Sequence, residues 1–199
     1  MLSLHSIKLK RRSLLKLAAA SIAAASLGAL AKALPRRRVV RPPGALVEEE
    51  FLARCLRCSQ CIQSCTTGAL TACTLADGLL LWGTPKVDPL KAPCEAFAGR
   101  CEEKRPCAES CPTSAIVYTP VVKIGSVKWI KENCLAYQGK QCLVCLEVCP
   151  SRGAIKARRG VPRFNSSRCV GCGRCVNACP AQPKALYLTP EGEIRVAKP

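Results

Sequence analysis

Imidazole, thioether and aromatic side chains are nearly missing from this chain. Its only histidine is His5, its only methionine is Met1, and aromatics make up 4% of its 199 residues. With no imidazole past the fifth residue, the chain lacks the ligands for a Rieske centre, a histidine-ligated haem or a mixed Cys/His zinc site, and no CxxCH run offers haem attachment. Acid–base catalysis loses its usual residue as well, and no catalytic triad, phosphate loop or flavin fingerprint is present. These absences point to a chain with no substrate-converting site of its own. So few large apolar side chains also make a thin core, and a staple besides hydrophobic burial is expected.

Acidic residues are scarce too, 13 against 31 Lys and Arg, for a formal net charge of +18. An excess of that size fits nucleic acid or an anionic membrane. Part of it is local, since residues 1–33 carry six basic residues and no acid, leaving +12 for the rest. Four iron–sulfur cubanes, each adding roughly −2 with its thiolates, would lower the total to roughly +4. The basicity then reads as compensation for clusters, with no nucleic-acid partner required.

Cysteine is what the chain has in abundance, with 17. An odd number leaves one over in any all-disulfide scheme, whereas four quartets and one spare account for all. The strongest stretch is Cys169 to Pro180, CVGCGRCVNACP. Cys169, Cys172 and Cys175, at two-residue gaps, can wrap a short loop around one 4Fe-4S cubane. By bacterial ferredoxin rules the fourth cysteine, Cys179, ligates the other cluster of a pair. Pro180 turns the backbone away after it, and Gly171 and Gly173 tolerate the positive φ of a tight loop.

The same unit recurs three times upstream. Cys55, Cys58, Cys61 and Cys65 form the first quartet, Cys94, Cys101, Cys107 and Cys111 the second, and Cys134, Cys142, Cys145 and Cys149 the third. Each ends on a cysteine, usually a proline, and a small residue before Leu or Ile. Ile116-Val117-Tyr118, Leu186-Tyr187-Leu188 and Val127-Lys128-Trp129-Ile130 favour strands, so the expected fold class is α+β: small, loop-rich, tandem ferredoxin-like units of two 4Fe-4S clusters each, stabilised by those clusters. No long helix is expected after residue 33, given proline and glycine throughout. The second quartet is loose, with six and five residues in its first two gaps. Cys73 fits no quartet: it is either a small buried hydrophobe or the ligand in place of Cys94.

The first 33 residues read as an export signal. Lys10-Arg11-Arg12-Ser13-Leu14-Leu15-Lys16 is a twin-arginine pattern, Leu17 to Ala31 is uncharged, and Ala31-Lys32-Ala33 offers a cleavage site. Those fifteen uncharged residues fall short of the ~20 a membrane span needs. The twin-arginine route carries folded proteins, which suits clusters inserted before export to the periplasm or the outer face of the cytoplasmic membrane. Residues 34–50 read as an extended, solvated linker ending in the acidic helical turn Glu48-Glu49-Glu50, with Arg36-Arg37-Arg38 within reach of lipid headgroups. Residues 51–190 form the four-cluster core and 191–199 a C-terminal tail.

Taken together, FLARCLRCSQC at Phe51 to Cys61, Trp82-Gly83-Thr84-Pro85, CLAYQGKQCLVCLEVCP at Cys134 to Pro150 and CVGCGRCVNACPAQPKAL from Cys169 resemble the ferredoxin-type proteins of periplasmic nitrate reductase systems, the NapG/MauM family. The resemblance implies an exported electron-transfer subunit with four 4Fe-4S clusters held by the sixteen quartet cysteines. Its implied donor is a membrane-bound, NapH-like quinol dehydrogenase and its acceptor a terminal reductase or cytochrome, with peripheral membrane association. It also implies that the first quartet pairs with the fourth and the second with the third. Cys179 would then join Cys55, Cys58 and Cys61, Cys65 would join Cys169, Cys172 and Cys175, Cys149 would join Cys94, Cys101 and Cys107, and Cys111 would join Cys134, Cys142 and Cys145. Sequential pairing stays open. The family's proline is replaced by Thr66. Two other readings compete: the cluster subunit of another molybdenum enzyme or hydrogenase, which the same cysteines would serve, and an exported disulfide-rich binding module. Twin-arginine export and repeated CxxCxxCxxxCP argue against the second.

Overall fold

The structure, a computed structural model, describes residues 12, 16–22, 26, 38–99, 101 and 105–197. The chain divides into two compact units, Met1–Arg37 and Arg38–Pro199. In the first, residues 16–22 are helical, and among the described residues no helix is long and apolar enough to cross a membrane. Most of the twin-arginine pattern and all of Ala31-Lys32-Ala33 lie outside the described residues.

The second unit is built of short pieces, as its proline and glycine content requires. Its helices are Glu48–Arg54, Gln60–Gln63, Pro106–Glu109, Val144–Glu147 and Arg174–Ala178, none longer than seven residues. Its strands form three two-stranded antiparallel ribbons: β1 (Leu70–Ala72) with β2 (Pro85–Val87), β3 (Ser126–Trp129) with β6 (Leu186–Thr189), and β4 (Ile155–Arg158) with β5 (Val161–Phe164). Two of the three β-favouring runs are therefore strands, and they pair with each other, Trp129 opposite Leu186. Ile116 makes only an isolated bridge, to Ala45. The β4–β5 hairpin turns at Arg159 and Gly160, both at positive φ, as a two-residue hairpin turn requires.

The core is thin and gathered around cysteines. One cluster holds Val40, Leu46, Phe51, Leu70, Val87, Ile116 and Ile124 with Cys55, Cys61, Cys65, Cys94, Cys107 and Cys111 against it. A second holds Ile155, Val176 and Leu186 with Cys145, Cys149, Cys175 and Cys179. Trp129 braces the latter, its ring 5.7 Å from Phe164 and 6.1 Å edge-on from Tyr137.

The segment expected to be a solvated linker is not one over its second half. Val40 to Leu46 is buried, with Leu46 fully so. The reason is Arg41, whose guanidinium is 1% exposed yet fully engaged. It donates to Glu48 carboxylate oxygens at 2.6 and 3.3 Å, to Thr84 Oγ1 at 2.8 Å and to the Pro85 carbonyl at 2.7 Å, and it lies 4.5 Å from the Phe51 ring centre. The tail beyond residue 190 is also tied in: Val196 bridges Leu46, and Arg195 reaches Glu48 at 3.3 Å.

Candidate iron–sulfur centres

Sixteen of the seventeen cysteines line four separate hollows, four in each. The first hollow is lined by Cys55, Cys58, Cys61 and Cys111, the second by Cys65, Cys94, Cys101 and Cys107. The third is lined by Cys149, Cys169, Cys172 and Cys175, the fourth by Cys134, Cys142, Cys145 and Cys179. Cys94 thus stands in the second hollow. Cys73 is buried elsewhere, its N–H on Thr84 O at 2.7 Å and its sulfur 3.9 Å from Arg41 Nη1, which matches its reading as a small hydrophobe.

Each hollow takes three cysteines from one quartet and one from another, as the ferredoxin rule predicts. The partners differ from those the resemblance implied. The first quartet exchanges its last cysteine with the second, and the third with the fourth, so the first-with-fourth pairing is corrected to the sequential one. Packing of the short helices is the reason. Gln60–Gln63 lies against Pro106–Glu109, where Ser64 Oγ meets Ser110 Oγ at 2.8 Å and donates to Pro106 O at 3.2 Å. Val144–Glu147 lies against Arg174–Ala178 through Cys145, Leu146, Cys175 and Val176. In each case the cysteine after one helix is delivered to the loop before its neighbour.

Loop wrapping is visible in the backbone. Gly171 and Gly173 flank Cys172 at φ 76° and 78°, and Arg57 and Ser59 flank Cys58 at 56° and 61°. The conformation is shared although the residues are not, and a side chain in it costs roughly 1–2 kcal/mol. Glycine is obligatory only in the last motif, where a Cβ on Gly171 would stand 2.6 Å from Gly125 N and one on Gly173 2.6 Å from Pro89 Cβ.

The thiols are in an environment that resists ionisation. Burial, then the sulfurs of Cys55, Cys107, Cys111 and Cys58, pushes Cys61 up to about 12. Burial does the same to Cys94, to about 12, and to Cys107, Cys145 and Cys172, each to about 11. Cys175 is raised by burial and by Cys172, Cys169, Cys149 and Cys145. Four sulfurs crowded at low dielectric repel one another as thiolates, so the arrangement suits a cationic occupant. Burial also acts on Cys65, but the Leu70, Thr67 and Ala69 N–H groups and the Thr67 hydroxyl bring it below the ordinary thiol value.

Backbone N–H donation from two residues ahead recurs, from Arg57 to Cys55, Thr67 to Cys65, Ala96 to Cys94 and Arg174 to Cys172, while the Cys149 thiol donates to the Ser151 carbonyl at 3.5 Å. Hydroxyls add to it, Thr67 Oγ1 lying 3.7 Å from Cys65 Sγ and Thr113 Oγ1 3.8 Å from Cys111 Sγ. Thr66, which replaces the expected proline, places its hydroxyl 3.8 Å from Cys101 Sγ. The Cys-x-Thr repeat after Cys65 and Cys111 was the signal for two of these hydroxyls, and it went unread in the sequence.

The donor set fits iron–sulfur clusters. The ligands available are soft thiols, all seventeen of them free, and each hollow is lined by four of them. Among the described residues no three metal-binding side chains are gathered around a single-ion site. This is the build of a ferredoxin-type iron–sulfur protein, whose function is electron transfer.

Known proteins agree. The family described as "4Fe-4S binding domain" matches residues 161–185. The chain is 35% identical to the methylamine utilization ferredoxin-type protein MauM of Paracoccus denitrificans, over 92% of this chain and 88% of that one. It is 37% identical to MauM of Methylophilus methylotrophus, over 76% and 71%, and 35% identical to the ferredoxin-type protein NapG of Escherichia coli, over 76% and 70%. The chain belongs to the family of MauM and NapG ferredoxin-type proteins.

Proposed function

We propose that this chain is an exported electron-transfer subunit of two tandem ferredoxin-type units carrying four 4Fe-4S clusters. It relays electrons from a membrane quinol dehydrogenase, NapH-like in kind, to a terminal oxidoreductase or cytochrome outside the cytoplasmic membrane. The observation that carries the reading is the division of sixteen cysteines into four hollows of four, with Cys73 left apart.

Each cluster, when bound, supplies reversible one-electron exchange. The chain's part is to hold, insulate and tune. In this reading Cys55, Cys58, Cys61 and Cys111 hold the first site, Cys65, Cys94, Cys101 and Cys107 the second, Cys149, Cys169, Cys172 and Cys175 the third, and Cys134, Cys142, Cys145 and Cys179 the fourth. The N–H and hydroxyl donors stabilise negative charge on sulfur and so favour the reduced state. Phe51, Ile116, Trp129 and Phe164 keep water from the walls. Cys58 alone among the seventeen is exposed, which makes the first site the natural port for a redox partner.

The relatives' names divide the reading of the acceptor. A nitrate reductase-like acceptor follows the NapG likeness, while the fuller coverage of the Paracoccus protein supports a role in methylamine utilization. The test is iron and acid-labile sulfide in anaerobically purified protein, with about sixteen of each per chain expected from four cubanes. Copurification from membranes, with the bound oxidoreductase identified, then decides the partner. Recovery in the cytoplasmic fraction alone would remove the export part of the proposal.

A further inference from the structure

The second and third hollows belong to different pairs, yet they meet through one junction. The Cys94 N–H donates to the Cys172 carbonyl at 2.8 Å. Beside it, Arg174 grips Glu95 with two bonds, Nε to Oε1 at 2.9 Å and Nη2 to Oε2 at 2.8 Å. The Glu95 side chain is 4% exposed and that of Arg174 is 20% exposed. Glu95 lines the second hollow and Arg174 the third.

Burying a carboxylate beside a site that is net negative once its four thiolates are counted with the occupant is doubly unfavourable, through desolvation and through like-charge repulsion. Arg174 offsets the desolvation, and its bidentate geometry fixes both groups. A plain clasp between the two segments needs no charge. A carboxylate and a guanidinium locked between two redox sites act on both at low dielectric, where their fields are least screened.

We propose that Glu95 and Arg174 are positioning residues for electron transfer across the middle of the molecule. Resting on the four-cluster reading above, the pair holds the second and third sites at a fixed gap and sets their potentials. One electron leaves the second site as the third gains it, with no proton or ligand exchanged. A negative charge nearby disfavours adding an electron and a positive charge favours it. Glu95 therefore lowers the potentials of the two central sites and Arg174 raises them.

The experiment is a redox titration of the loaded full chain, followed by electron paramagnetic resonance, on E95Q, R174Q and R174K, with iron counted on each sample. At about sixteen iron per chain, two of the four midpoints should rise in E95Q and the same two should fall in R174Q. The other two should stay in place, and R174K should keep all four near their native values. Midpoints unmoved at full iron, moving the same way in both variants, or moving in all four sites alike would overturn the proposal. So would loss of iron from all three variants, R174K included, which marks a clasp needed only for folding. Native protein holding well under sixteen iron would instead defeat the four-cluster reading, and this inference with it.

Discussion

Cys94 and Cys73 are chemically identical, and their neighbours decide their roles. Cys94 shares a hollow with Cys65, Cys101 and Cys107, while Cys73 sits among Arg41 and the Thr84 backbone. Cys94→Ser is expected to cost one cluster, about four iron per chain, and Cys73→Ser none, by iron and sulfide assay. Full iron in Cys94→Ser would end its assignment as a ligand. Acid should oppose cluster assembly. Cys61 and Cys94 are held up to about 12, so near neutrality they keep protons that ligation must release. Reconstitution at fixed iron and sulfide should bind more iron at about pH 8.5 than at about pH 6.5. At this scale the sequence was informative about which cysteines gather in the hollows, because the quartet spacing is local. Glu95 and Arg174 carried no such signal, being 79 residues apart and paired only by folding.

Short elements explain why the ligand loops keep their shape. Helices of four or five residues have little stability of their own; each is held by its partner helix, and Gln60–Gln63, Val144–Glu147 and Arg174–Ala178 also lie against β1, β4 and β6 respectively. The strap Val40 to Leu46 shows the same dependence, since Arg41 ties it to Glu48 in the following helix and to Pro85 in β2. Arg41→Met should destabilise the loaded protein by about 3 kcal/mol, because β2 and the Glu48 carboxylate lose a buried donor while Glu48 keeps partial access to water. Denaturant unfolding followed by cluster absorbance would measure it, and an unchanged midpoint would show the strap to be dispensable. β3 and β6 were legible from their Val, Trp, Tyr and Leu runs. The strap was not, because a Pro- and Arg-rich stretch reads as linker until one arginine is seen to have every polar contact filled inside the protein.

For the molecule as a whole, the hollows are the fold's centre of gravity. Apolar side chains and sulfurs face them from three small cores, and without an occupant those walls lose their contacts and leave buried voids. Cluster-free protein should therefore show weak far-ultraviolet circular dichroism and no cooperative thermal transition. A native-like melt of the cluster-free chain would show that the cores suffice alone. Long-range ties such as β3 with β6 and Leu46 with Val196 close the chain on itself, so the loss should be shared across residues 38–197 rather than confined to one site.

By itself the sequence determined the class of chemistry, the sixteen ligand candidates and the rule that each quartet lends a cysteine to another site. Those depend on residue type and on gaps of two to seven residues, which the chain carries wherever it goes. Which quartets exchange, which of Cys73 and Cys94 reaches a hollow, and whether residues 40–46 lie in water or in the core were decided by tertiary structure. Spacing measures distance along the chain, whereas these outcomes turn on which short helices pack together and which charges find partners once they do.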